Sequence, residues 1–214
     1  MTARAGDAGP SATSTDPAPD VAAEKALWRR RIRAARRERD PGLRARDAAA
    51  ITVAALGLAA EVDGPICAHV PVGVEPWSAA GVEALRAAGH EVLLPVVAGR
   101  DAPLDWARYT GPGALAAGPF GLREPSGPRL GSEAVRRARL VLLPALAADR
   151  RGVRLGQGGG FYDRTLPLVD PAAALVVVLG DGELVEALPA EPHDRRVGAA
   201  ILPAEGVTML GCAD

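Results

Sequence analysis

Aromatic side chains are scarce in this sequence: seven among 214 residues, as three Trp, two Tyr and two Phe, and none interleaves with the arginines near the start. A stacking platform for single-stranded nucleic acid therefore has little to be built from. Cysteine is scarcer still. Cys67 and Cys212 lie far apart in no CxxC or Cys/His spacing, which excludes a disulfide scaffold, fits a reducing compartment and reads as small buried thiols. The three histidines, His69, His90 and His193, are scattered and give zinc no ligand set. No apolar run approaches the roughly 18 residues of a membrane span, and no membrane partner is expected. A formal net charge of −1 provides no global field toward polyanions, so any attraction for them must be local.

Residues 1–20 are rich in Ala, Ser, Thr, Pro and Asp and lack an apolar signal-peptide centre. A disordered tail, a cytoplasmic location and one domain over 21–214 are expected. That domain is large enough to bury a core unaided.

What is present alternates. Asp20 suits the cap of a helix over 21–39 carrying a run of basic residues, Asp40-Pro41-Gly42 signals a turn, and 43–60 reads as an Ala-rich helix. Strands are predicted over 65–70, 91–97, 140–146, 175–179 and 197–202. Helices are predicted over 77–88, 133–137, from 162 to 166, and over 182–187. The Gly- and Pro-crowded stretch 99–131 reads as a long functional loop with at most a short strand at 104–107. Strands alternating with helices imply right-handed βαβ units: an α/β domain with a mostly parallel sheet and helices on both faces.

The most informative segment is LVLLPALAADRRGVRLGQGGGFYDR, 140–164. A continuous apolar run, as in a strand buried on both faces, leads into five glycines at 152, 156, 158, 159 and 160. Glycine admits positive φ and close ligand approach. Successive N–H groups then converge on an anion, and a following helix adds its positive end. Arg154 and Arg164 flank the loop and offer charge to phosphate oxygens. Such a loop belongs beyond the carboxyl ends of the strands, where open α/β sheets bind ligands. Neither GxGxxG nor GxxxxGK[ST] is present, which excludes the dinucleotide fingerprint and the ordinary NTPase phosphate loop.

These residues closely resemble the signature of the 5-formyltetrahydrofolate cyclo-ligase family, in which P-x-x-x-x-D precedes G-x-R-L-G-x-G-x-G-[YF]-Y-D. Pro144, Asp149, Gly152, Arg154, Leu155, Gly156, Gly158, Gly160, Phe161, Tyr162 and Asp163 stand at the matching spacing. The family's K-x-x-x-R helix is matched by Lys25 and Arg29, and helical spacing adds Arg33 to the same cationic stripe. Its substrate pocket is matched at Val70 and Glu75, and GPFGLREP (118–125) looks like a further family segment. Two departures stand out: Gly198 where a D-x-x-V-D segment carries its second aspartate, and Gly159 where some relatives carry lysine.

The resemblance implies a NagB/RpiA/CoA transferase-like fold and ATP-dependent conversion of 5-formyltetrahydrofolate to 5,10-methenyltetrahydrofolate, ADP and phosphate. ATP would be held by Lys25, Arg29, Arg154, Leu155, Gly156, Gln157, Gly158, Gly159, Gly160, Phe161 and Tyr162, with Arg154 as the catalytic charge. Folate would be held by Val70, Glu75 and Tyr162, and Mg2+ by Asp163, or by Asp194. A monomer acting on small molecules is expected, without nucleic acid. Two other readings remain open at this level: a paralogue acting on another substrate, and a nucleic-acid accessory protein using the basic helix, since duplex backbone binding needs only charge.

Overall fold

The structure, a computed structural model, describes residues 20–191 and 194–211. The tail 1–19, His193 and Cys212 fall outside these. Two helices open the described chain: α1, Val21–Glu38, and α2, Pro41–Ala60. Asp20 caps α1 by accepting from the Ala23 amide. The Asp40-Pro41-Gly42 turn proves to be the start of α2: Asp40 accepts from the Gly42 and Leu43 amides, and proline occupies the first turn, where its missing N–H costs nothing.

The strands β1 (Ile66–Cys67), β2 (Val92–Val96), β3 (Asp105–Arg108), β4 (Leu115–Ala117), β5 (Arg123–Pro125), β6 (Leu140–Pro144), β7 (Ala147–Asp149), β8 (Arg154–Leu155), β9 (Ala174–Val178), β10 (Leu184–Val185), β11 (Ala199–Leu202) and β12 (Gly206–Met209) form three sheets. The main sheet has the order β12-β11-β9-β6-β1-β2-β3. Its inner pairs are parallel, and an antiparallel strand closes each edge. The edge strand β12 was not foreseen.

One face is covered by α2 and by α3 (Ala79–Ala87). Ile51, Ala55 and Ala59 of α2 and Val82 and Leu85 of α3 pack on Ile66, Leu94, Leu142, Val178 and Ile201. The opposite face is covered differently from expectation. Short 3-10 turns, Ser132–Arg137 and Leu166–Leu168, and the brief helix α4, Phe161–Thr165, pack there against Leu143, Val177 and Ala200. Six residues or fewer per element leave little regular helix on that side, because the chain there is occupied in building the pocket.

Three boundaries moved for physical reasons. The strand expected over 65–70 stops at Cys67, for at His69 a ring nitrogen rather than the backbone meets the Leu142 carbonyl. The loop 99–131 holds, besides the short strand expected at 104–107, which is β3, the hairpin β4–β5. The helix expected over 182–187 is a turn followed by β10, paired parallel to β7: Gly182 sits at φ +80°, and the buried Glu183 carboxylate accepts from the Gly180 amide.

The hairpin β7–β8 leaves the carboxyl end of β6 and carries the glycine loop. Asp149, fully buried at its base, accepts from the amides of Arg151, Val153 and Leu188 and from the Arg151 guanidinium. Gly152 turns the hairpin at φ +85°, and a Cβ there would lie 2.4 Å from the Val197 carbonyl oxygen. Gly152→Ala combines a left-handed backbone with that clash and is expected to destabilise by about 2–4 kcal/mol. A urea melt whose midpoint matches the parent's would contradict this.

Candidate active site

α1 reaches the pocket because it docks on the small sheet β10-β7-β8. Ile32, with Trp28 beside it, packs on Leu146, Val153, Leu155 and Leu188. Residues three or four apart along that face then point inward, so Lys25, Arg29, Arg33 and Arg36 share it. Arg29 donates to the Gly156 carbonyl at 3.0 Å, and Arg33 to the Gln157 carbonyl at 2.9 Å. Arg36 forms a buried fork with Glu183 at 2.6 and 2.7 Å and also donates to the Ala145 carbonyl. One face of the basic helix is therefore turned into the molecule and removed from the nucleic-acid reading, while Arg30, Arg31 and Arg37 stay exposed.

The glycine loop's carbonyls are bound to arginines: Gly156 and Gln157 as above, and Gly159 to Arg164. Among the described residues, none of the N–H groups of 156–160 donates to a backbone carbonyl. That pattern fits an amide cup for an anion. Arg164 departs from its expected role, because its guanidinium is spent on the carbonyls of Arg100, Ala102 and Gly159. It braces the loop and lies over the Phe161 ring.

Together these elements and the β1–α3 loop enclose a cavity of about 520 Å³, within the usual range for small-molecule sites. Every residue assigned from sequence to ATP, folate or metal lines it: Lys25, Arg29, Val70, Glu75, and the run from Arg154 to Asp163. Residues not foreseen line it as well, among them His69, Phe120 and Glu124. His69 had been weighed only as a zinc ligand, and its place two residues after a strand and six before Glu75 was the available signal.

Arg154 is buried and pairs with the half-exposed Asp163 at 2.5 Å, with its charge 5.9 Å from the Tyr162 ring centroid. Arg154 Nε and the Tyr162 hydroxyl are buried without a partner among the described residues. Buried polar groups are nearly always satisfied, so two orphans in one pocket lining mark where a polar ligand completes the structure. Burial pushes the Tyr162 phenol well above its ordinary value, so it stays an O–H donor.

Glu75 keeps only 12% of its side chain accessible. It accepts from the Val72 amide at 3.0 Å and from the Gln157 side chain at 3.4 Å. Gln157 Oε1 meanwhile accepts from Arg33, so this side chain bridges the basic helix to Glu75. Lys25 is held by Glu191 at 2.8 Å and Asp194 at 2.9 Å. Burial opposes its charge, but the two carboxylates prevail and raise its pKa.

For magnesium, Asp163 offers one accessible carboxylate, shared with Arg154, and no group of three metal-ligating side chains gathers among the described residues. That donor set fits an ion carried in on phosphate oxygens, which needs only one or two protein carboxylates. Asp194 lines the cavity. Gly198 does not, lying instead beside Leu175 in the sheet.

An α/β domain whose pocket pairs a glycine-rich loop with a buried acidic acceptor is the class that fold and site define. A family model, 5-formyltetrahydrofolate cyclo-ligase, matches residues 21–203. The chain belongs to the 5-formyltetrahydrofolate cyclo-ligase family, and is thus a ligase. It is 47% identical over 149 residues to a 5-formyltetrahydrofolate cyclo-ligase of Mycolicibacterium smegmatis, spanning 68% of this chain and 76% of that one. It is 33% identical over 126 residues to one of Escherichia coli K12, spanning 58% and 69%. The solved 5,10-methenyltetrahydrofolate synthetase of Aquifex aeolicus superposes with a TM-score of 0.73 at 25% identity, covering 89% of this chain and 94% of that one. That of Mycoplasma pneumoniae, at 16% identity and a TM-score of 0.62, covers 83% and 97% and shares the fold.

Proposed function

We propose that this ligase converts 5-formyltetrahydrofolate and ATP to 5,10-methenyltetrahydrofolate, ADP and phosphate in the cavity between α1, the glycine loop and the β1–α3 loop. The observation that carries the reading is the meeting of α1 and the loop, sealed by the Arg29–Gly156 contact, with Arg154 Nε and the Tyr162 hydroxyl left unpartnered in the same wall.

A formamide carbonyl is a poor electrophile, and its oxygen is a very poor leaving group. In this reading that oxygen attacks the γ-phosphorus and ADP departs. The neighbouring folate nitrogen then attacks the activated carbon, loses its proton and closes the five-membered ring as phosphate leaves. The protein's part is to position and to stabilise charge. Arg154 faces the transferring phosphoryl group, the amides of Gly156–Gly160 cradle the triphosphate, and Lys25 and Arg29 close over it from α1. Tyr162 and Phe161 wall the folate, while Val70 and Glu75 hold its ring. Magnesium, held by Asp163 or Asp194, would neutralise phosphate charge. A cytoplasmic monomer of NagB/RpiA/CoA transferase-like fold belongs to the same reading.

Mixing the purified protein with ATP, magnesium and 5-formyltetrahydrofolate should generate methenyltetrahydrofolate absorbance. No signal, together with no measurable ATP affinity, would overturn the assignment. ATP turnover only with some other carboxamide would favour the paralogue.

Lys25→Met removes one charge-assisted partner of the phosphates. It is expected to raise the KM for ATP by about ten- to a hundredfold, and more than that for the folate. Equal rises in both would remove Lys25 from the nucleotide.

A further inference from the structure

His69 is a built feature of the pocket with no role so far. Its ring is almost wholly buried, yet lines the cavity. Two contacts fix its orientation. Nδ1 lies 3.2 Å from the Leu142 carbonyl oxygen, and the Trp77 ring meets it edge-on with centroids 5.7 Å apart. Trp77 is itself anchored, donating from its indole N–H to Thr52 of α2.

A carbonyl only accepts, so the Nδ1 contact places the proton on Nδ1. In the neutral ring, Nε2 then presents a lone pair. What it faces is Glu75 Oε2, at 3.8 Å. Two acceptors therefore confront each other across a gap too long for a direct hydrogen bond. Burial lowers the His69 pKa below its ordinary value. The charge of Glu75 and the Leu142 contact pull the other way, and Arg36, held by Glu183, adds to the lowering. The further groups around Glu75 are Tyr162, with Cys67 and Arg154 near it, and burial raises both the tyrosine and the cysteine so that they stay neutral.

We propose that His69 Nε2 and the Glu75 carboxylate form a three-acceptor notch that reads a ligand edge bearing an amino group beside a ring N–H. This rests on the folate reading above and adds a specificity residue to it. Such an edge offers three N–H bonds. A carboxylate takes two of them in parallel, one from the ring and one from the amino group. The second amino hydrogen needs an acceptor next to the carboxylate, where His69 stands. Protonating His69 would convert the acceptor into a donor, draw it onto Glu75 and close the notch.

The test compares His69→Phe and His69→Gln with the parent, using 5-formyltetrahydrofolate and its 2-desamino analogue as competing ligands. The parent should prefer the amino compound. His69→Phe should cut that preference about tenfold, the usual worth of one such bond, while raising the KM for folate more than that for ATP. His69→Gln keeps an acceptor and should retain most of the preference. In the parent, kcat/KM for folate should fall on acidification at a pH lower than an ordinary imidazole would give, and this limb should be lost in His69→Gln. An unchanged preference in His69→Phe, or the same acid limb in His69→Gln, overturns the proposal. Should His69→Phe fail to fold, the glutamine variant and the pH profile decide. A parent inactive on folate would instead sink the functional reading itself.

Discussion

Arg154→Ala is expected to lower kcat/KM by about two to three orders of magnitude, the usual loss when one donor to a transition-state oxyanion is removed from a water-poor site. Arg154 sits on β8 in the cavity wall with Nε unpartnered, so its fixed charge needs no rearrangement to meet a developing phosphate. Its salt-bridge partner Asp163 keeps 49% of its side chain accessible. Truncation therefore leaves that carboxylate free to be hydrated, and the stability cost should stay within about 2 kcal/mol. Arg154→Lys should recover only part of the rate, since a point charge cannot reproduce the planar fork. Steady-state kinetics alongside a thermal melt decide the matter. Activity within threefold of the parent at unchanged Tm would take Arg154 off the phosphates.

Glu183→Ala should have the largest effect on stability. The Arg36–Glu183 fork is buried on both sides, at 6% and 9% side-chain exposure. Removing the carboxylate strands a guanidinium whose remaining bond is to the Ala145 carbonyl, and it also deprives the Gly180 amide of its acceptor. Breaking such a pair costs about 3–5 kcal/mol, or a Tm lower by roughly 6–20 °C at this chain length. Activity should fall further than the melt explains, because Arg36 is the last inward residue of the stripe that brings Lys25 and Arg29 over the loop. Replacing both partners, as Arg36→Met with Glu183→Leu, should regain much of the loss, for the cost lies in the unpaired charge. A melt of Glu183→Ala superimposable on the parent's would show that α1 is held by its apolar contacts alone.

Much of the fold was legible because strong local signals agreed with burial. Helix α1 was readable from Asp20 and the run that follows, and the central strands β6 and β9 were readable as continuous apolar runs. The signals failed where tertiary partners set the local structure. Residues 182–187 lack the length to hold a helix against what Glu183 gains by reaching Arg36 and the Gly180 amide. The antiparallel edge β12 carries no pattern of its own, since pairing with a neighbour makes it a strand. The opposite face is covered by short turns because the chain there is occupied in building the pocket.

The site divides in the same way. Glycines and arginines were named because an anion cup needs small residues and charge close together along one stretch of chain, whereas Tyr162 was named through the family resemblance. From the order of its residues alone, the chain determined its α/β class, its glycine loop and its family. Only the tertiary structure decided which charges remain for a ligand. It placed Arg164 on carbonyls, Arg36 on Glu183 and Lys25 between two carboxylates, and it left Arg154 Nε and the Tyr162 hydroxyl unpaired. It also set His69 against Glu75. A side chain's partners come from segments far apart in the chain, and their distances exist only once the sheet has brought those segments together.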